Sequence, residues 1–236
     1  MKRYAALKRI TDVLLSLPAI LLLLIPWLIA GAVIKIQSPG PVIYKAKRVG
    51  LNGRIFTLYK LRTMCTDSGR VHATTLEGDP RVFPFGRFLR GSKLDETPQL
   101  FNILKGDMSV IGPRPEDEVN APVYYCGKYR EILSVLPGLS SPASLYDYTH
   151  GESYPDEESY VREFMPRKLE LEMYYVRHRS FAYDLRIMLR TAAVLTGKLI
   201  FRAEIPEPKE MKLLYGSGEE LSGRTIGKHA GNDGIR

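Results

Sequence analysis

The chain reads as a mostly helical α+β protein in three parts. Residues 1–36 form a re-entrant membrane helix-break-helix hairpin, 37–200 a small cytoplasmic domain with a short β-hairpin and amphipathic interfacial helices, and 201–236 a mobile C-terminal tail. Three observations predict this. Val13 to Ile34 gives 22 residues without a charge. The runs Val42-Ile43-Tyr44 and Ile55-Phe56-Thr57-Leu58-Tyr59 flank Gly50-Leu51-Asn52-Gly53, a turn signal between strands. Helical spacing dominates afterwards, as in Phe181, Leu185, Met188, Leu189, Ala192 and Leu195, with Gly197 as a stop.

The apolar run comes first. As a helix it extends about 33 Å, enough to reach across a hydrocarbon core. Its flanks are basic on both sides, Lys2, Arg3, Lys8 and Arg9 before it and Lys35, Lys45, Lys47, Arg48 and Arg54 after it. A spanning helix cannot place both flanks on the positive side, whereas a segment that enters and leaves on one face can. Pro18 and Pro26 lie inside the run, and each removes a backbone donor. A break at Pro26 leaves Val13–Ile25 and Pro26–Ile34, each too short to cross alone. The hairpin is therefore the expectation, against two other readings: a kinked spanning helix, and a secretory signal ending at Ala30-Gly31-Ala32. Ser38-Pro39-Gly40-Pro41 makes the exit. Two distant cysteines, Cys65 and Cys126, form no disulfide framework or CxxC pair and fit a reducing compartment.

Charge is concentrated near that segment. Residues 1–100 carry 16 Lys/Arg against 6 Asp/Glu, whereas 101–200 carry 12 against 14 and 201–236 carry 6 of each. The net surplus of +8 thus belongs to the membrane-proximal part, where a basic surface attracts anionic head groups and phosphorylated ligands. Nucleic acid is not expected as a partner: there is no basic recognition helix, zinc-ligand spacing or RNP-like strand. For the helix after Ser180 the apolar face is expected against the core, although Arg177, Arg179, Arg186 and Arg190 would suit an interfacial helix. From Arg202 onward charge is balanced, glycine frequent and apolar periodicity weak, which gives the mobile tail.

Candidate chemistry lies in Ser92-Lys93-Leu94-Asp95-Glu96-Thr97-Pro98-Gln99-Leu100. Thr97 reads as an N-cap and Pro98 as the first helical residue, with Leu100, Phe101, Ile103 and Leu104 as an apolar face ended by Lys105-Gly106. Asp95 and Glu96 then stand at the positive end of a helix, where a carboxylate nucleophile and a phosphorylated substrate can meet; the alternative is that they only complement the helix dipole. Cations gather nearby. Lys60 and Arg62 share a face by period two, Arg81, Arg87, Arg90 and Lys93 precede the pair, and Arg114 is held between Pro113 and Pro115.

The segments Ser38-Pro39-Gly40-Pro41-Val42, Tyr59-Lys60-Leu61-Arg62-Thr63-Met64, Leu94 through Ser109, and Ile111-Gly112-Pro113-Arg114-Pro115 together resemble the bacterial sugar transferase family, the monotopic phosphoglycosyl transferases, from about Lys8 to Gly197. The resemblance implies a re-entrant membrane helix broken at Pro26, a catalytic domain on the cytoplasmic side of the bacterial inner membrane, and Mg²⁺ as cofactor. It implies transfer of a phosphosugar from a UDP-sugar to polyprenyl phosphate, with Asp95 as nucleophile, an aspartyl-phosphosugar intermediate and release of UMP, beginning lipid-linked glycan assembly. By the same resemblance Glu96 binds the metal, Lys60, Arg62, Arg90 and Arg114 hold phosphate oxygens or neighbouring carboxylates, and Lys8 and Arg9 contact lipid head groups. Two departures stand out: Ile25 precedes Pro26 where many members have Ser, and Pro137-Gly138 runs into Leu139-Ser140-Ser141-Pro142-Ala143-Ser144-Leu145 where many have Ile-Thr-Gly. Tyr146, Tyr148 and His150 are candidates for sugar or uridine contacts. A membrane-anchored scaffold with a degenerate site is the alternative function, and a homo-oligomer is left open.

Overall fold

The computed structural model describes residues 2–66, 79–150, 157–197 and 208–215. The chain opens with a helix, α1 (Lys2–Gln37), followed by β1 (Ile43–Val49) and β2 (Ile55–Leu61). These two strands pair antiparallel in the register Ile43 to Leu61 through Val49 to Ile55. Asn52 and Gly53 at the turn take positive φ, 55° and 79°, which the Asn-Gly pair tolerates. The expected hairpin is thus present. Next come α2 (Pro84–Gly91), α3 (Leu100–Lys105), β3 (Ser109–Ile111), α4 (Ala121–Tyr124) and β4 (Gly138–Ser140). The helices α5 (Pro142–His150), α6 (Glu157–Ser159), α7 (Met165–His178), α8 (Phe181–Thr196) and α9 (Lys209–Tyr215) complete the described chain, with a π-turn at Tyr160–Phe164 leading into α7.

α1 corrects the expected helix-break-helix. It is one continuous helix through both prolines. Pro18 and Pro26 stand on its exposed side, while Asp12, Ser16, Ile20, Ala30 and Ile34 are buried at helical spacing on the other. Ile20 packs with Phe56 and Leu58 of β2 and Leu100 and Ile103 of α3, and Ala30 and Ile34 pack with Leu61, Phe83 and Leu89. A proline within a helix costs about 3 kcal/mol, and each fully buried aliphatic side chain returns about 1.5–3 kcal/mol. Packing on both sides of each proline therefore outweighs the local preference for a break. The same contacts join residues 1–36 to the cores of 37–200, so the two share a hydrophobic interior.

Polar contacts reinforce the union. Asp12 accepts from Ser109 Oγ and Val110 N, both at 2.9 Å, and Arg9 donates to the carbonyls of Ile103 and Leu104 at the C-terminal end of α3. Lys8 Nζ donates to Ile111 O at 2.6 Å and to buried Asp184 at 2.8 Å. Lys8 and Arg9 are thus held by the protein, not presented to lipid head groups as expected; their partners lie some hundred residues or more away along the chain and cannot be read locally.

Elsewhere α8 is capped by Ser180, whose hydroxyl accepts from Tyr183 N. Its core side, however, is Ile187 with Tyr183, Met188, Val194 and Leu195, whereas Leu185 and Leu189 are exposed. Part of the predicted apolar face therefore points outward. The tail expectation is corrected for Lys209–Tyr215, which is helical: Glu210 is buried, receiving Arg190 Nη1 at 2.7 Å and Tyr183 OH at 3.0 Å, and Met211 enters the cluster around Tyr146 and Phe164. The rest of the predicted tail lies outside the described residues.

The parallel pair β3–β4, too short for a sequence signal, brings Gly112 and Gly138 into backbone contact. A Cβ on Gly138 would lie 2.0 Å from Gly112 N. Gly138→Ala should therefore destabilise the fold by about 3 kcal/mol or more, because the obstacle is main chain, and thermal unfolding in detergent should show the melting temperature falling. Gly91→Ala, where a Cβ meets nothing within 4 Å, should leave it near the parent value.

Candidate functional site

The acidic pair sits where α1, β2 and α3 converge. Lys93, in the left-handed conformation at φ 58°, reverses the chain after α2, and a 3₁₀ turn Leu94–Gln99 carries Asp95 and Glu96 directly into α3. Thr97 is not an N-cap as expected. Its hydroxyl donates to Leu94 O at 2.6 Å and accepts from Trp27 Nε1 at 2.8 Å, which fastens α1 to the turn. Asn102 bonds the main chain of Thr57 and Tyr59 and fixes α3 against β2. Gly106, at φ 85°, ends α3 as predicted.

Glu96 is buried and fully engaged. Lys60 Nζ lies 2.8 Å from Oε1, and Arg114 approaches with both terminal nitrogens, Nη2 at 2.5 Å from Oε1 and Nη1 at 3.2 Å from Oε2. Burial favours the neutral acid, but Arg114 and Lys60 outweigh it and hold the Glu96 carboxyl well below the usual range. Arg114 is positioned in turn by its main chain. Its N–H donates to Glu172 Oε1 at 2.9 Å, its carbonyl accepts from Tyr125 OH at 3.0 Å, and Glu172 also accepts from Ser141 Oγ. The β3–β4 pair sets the preceding Gly112-Pro113 in place through Gly138 N to Pro113 O.

Asp95 is the opposite case. It is buried, and its Oδ1 has no hydrogen-bond partner among the described residues. Burial and the neighbouring Glu96 charge push its carboxyl up, against Lys60, Lys93 and Arg90. The two adjacent carboxyls are thus driven apart, Glu96 held as an anion by its cations and Asp95 left with an open oxygen.

Of the residues singled out in the sequence, Asp95, Glu96, Lys60 and Arg114 meet directly. Arg90 stands beside them, its Nε donating to Thr63 Oγ1 at 2.9 Å while its charge acts on Asp95. Arg62 does not join them. It lies one residue beyond β2 and is buried against the α1 exit, donating to Ser38 Oγ, Ser38 O and Pro39 O. Tyr148 is at the site: the Lys93 ammonium lies 4.5 Å from its ring centre. Tyr146 is in the core, stacked on Phe164, and the His150 side chain lies outside the described residues. Sequence reasoning missed Glu172, Tyr125, Asn102 and Trp27. Each acts through a tertiary contact that no local sequence pattern signals.

For a divalent cation the open positions are Asp95 Oδ1, which has no partner among the described residues, and Glu96 Oε2, which takes a single hydrogen bond at 3.2 Å. No group of three His, Cys, Asp or Glu side chains able to enclose a metal occurs among the described residues. Two adjacent carboxylates without a third fit Mg²⁺, which is customarily completed by water and substrate phosphates.

The family described as "Bacterial sugar transferase" matches residues 3–198. Over 203 residues the chain is 37% identical to the UDP-N-acetylgalactosamine-undecaprenyl-phosphate N-acetylgalactosaminephosphotransferase of Aeromonas hydrophila, covering 82% of this chain and 45% of that protein. It is 35% identical over 191 residues to the UDP-glucose:undecaprenyl-phosphate glucose-1-phosphate transferase of Caulobacter vibrioides, covering 80% and 69%. Against the Escherichia coli protein of the same name it is 34% identical over 194 residues, covering 78% and 39%. The chain thus spans less than half the length of the Aeromonas and Escherichia relatives. With the match extending from the start of α1 through α8, the chain belongs to the bacterial sugar transferase family.

Proposed function

We propose that the chain transfers a sugar 1-phosphate from a UDP-sugar to a polyprenyl phosphate at the membrane surface. The observation that carries this is the divided acidic pair: Glu96 neutralised by Lys60 and Arg114, Asp95 left with an open oxygen. The relatives' names supply the substrate classes. Asp95 Oδ1 attacks the sugar-linked phosphorus, forming an O–P bond as the P–O bond to UMP breaks and its electron pair leaves with UMP. A polyprenyl phosphate oxygen then attacks the same phosphorus, and the Asp95–P bond breaks to restore the carboxylate. Glu96 is the anion around which Lys60 and Arg114 are organised; Lys60, Lys93 and Arg90 are the cations whose charge acts on Asp95, and they offset charge on the transferred group. Mg²⁺ held by Glu96 through Oε2, which takes one hydrogen bond, would screen the donor's diphosphate and leave Asp95 Oδ1 free to attack.

The membrane reading is monotopic. α1 is long and apolar enough to cross a bilayer. Yet from Lys8 to Ile34 its inner side touches the domain at nearly every turn, through polar contacts at Asp12 and Trp27 as well as apolar ones. A helix crossing hydrocarbon would leave those polar partners behind. Its outer side, with Leu14, Leu21, Ile25 and Leu28, enters one leaflet, and the exposed Leu185 and Leu189 of α8 provide a second apolar contact. Both ends of α1 then lie in the cytoplasm.

Three outcomes follow. Asp95→Asn keeps the shape and removes the anion; phosphosugar transfer should fall by about 10³-fold or more. With UDP-sugar and Mg²⁺ alone, mass spectrometry should find one added phosphosugar on the parent protein and none on the variant; UMP release that strictly needs the lipid would favour direct attack. Because Asp95 must be ionised and its carboxyl is pushed up, activity should be lost as pH falls while still above the ordinary carboxylate range. Lys93→Gln removes a charge favouring ionisation and should shift that limb of the pH–rate profile further upward. Cysteines introduced at Lys2 and Lys45 should both resist an impermeant reagent applied outside intact cells; labelling of one would mean a spanning helix.

A further inference from the structure

Away from the acidic pair, the N-terminal turns of α1 and the α7–α8 turn enclose a groove of about 450 Å³. Arg3, Arg177 and Arg179 line it with Tyr4, Leu7 and Phe181, and no acidic side chain is among the lining residues. The groove is built, not incidental. Tyr4 OH donates to buried Asp184 at 2.8 Å, Arg179 donates to Val176 O at the end of α7, and Ser180 caps the start of α8. Arg177 has a carboxylate partner, the exposed Glu131, at 3.2 Å.

Its position relative to the apolar surface limits what can occupy it. Leu7, which lines the groove and is 43% exposed, begins an outward stripe continued by Ile10, Leu14, Leu17 and Leu21 at alternating intervals of three and four residues, one side of α1. Three guanidinium groups therefore cluster at the head of an apolar stripe, with two aromatic rings at the boundary. That is the order of a membrane interface: cation for phosphate, aromatic at head-group depth, aliphatic below.

We infer that this groove binds the phosphate of an anionic membrane phospholipid, whose acyl chain lies along the Leu7–Leu21 stripe, and that this contact, distinct from the reaction site, seats the N-terminal end of α1. The inference rests on the monotopic placement of α1 above.

Full-length protein in detergent can be titrated with phosphatidylglycerol, phosphatidylcholine, polyprenyl phosphate and inorganic phosphate, counting bound molecules by native mass spectrometry. Phosphatidylglycerol should be retained about tenfold more strongly than phosphatidylcholine or inorganic phosphate. Arg3→Gln and Arg177→Gln should each weaken it roughly fivefold, as for one cation near an anionic surface. Glu131→Gln removes the competing carboxylate from Arg177 and should strengthen retention, a gain that misfolding cannot produce. Equal retention of phosphatidylcholine, or no change in any variant, would overturn the assignment. Inorganic phosphate binding as tightly would make it a soluble-anion site, and polyprenyl phosphate displacing phosphatidylglycerol would make it an acceptor site. Flotation with phosphatidylcholine vesicles tests the underlying placement separately: parent and variants should all float, and failure of the parent would sink the membrane reading itself.

Discussion

A carboxylate taken out of water must be matched by cations or it does not stay charged. Glu96 meets that condition with Lys60 from β2 and Arg114 from the segment after β3, so its charge depends on two stretches of chain brought together from either side. Much of the architecture serves this convergence. Asn102 locks β2 to α3, Glu172 and Tyr125 hold the Arg114 main chain, and the glycine contact between β3 and β4 lets that segment pass close enough. Beside the satisfied Glu96, Asp95 keeps one oxygen, Oδ1, without a hydrogen-bond partner among the described residues, and burial with the Glu96 charge pushes its carboxyl up, against Lys60, Lys93 and Arg90.

The apolar helix is part of the same arrangement. Its inner side completes the cores under β2 and α2, and its polar contacts at Arg9, Asp12 and Trp27 end on α3, β3 and the acidic turn. The apolar helix and the acidic turn are therefore not two modules joined by a linker. A displacement of α1 has to move the turn that carries Asp95.

What the sequence disclosed follows the range of the forces involved. The β-hairpin and the end of α3 at Gly106 are set by local backbone chemistry and were legible. The convergence of Asp95, Glu96, Lys60 and Arg114 was legible because four unusual clusters occur in one short chain. Pro26 misled, since a proline reports local preference and not the packing that overrides it. Arg62 misled because strand alternation ceases at Leu61, and Lys8 and Arg9 because charge alone does not say whether a cation faces lipid or a carbonyl. Glu172 could not be read at all: an acid in a helical pattern looks solvated until the segment that buries it is known.

The contact between Trp27 and Thr97 has an optical side. Trp27 is the only tryptophan in the chain, so ultraviolet emission excited selectively through indole comes from one position. That indole belongs to the apolar helix, bonds the residue next to Glu96 and faces Phe101 at 5.5 Å between ring centres. A single native fluorophore thus sits on the joint between the apolar helix and the acidic turn, and its colour and lifetime register both without any label being added.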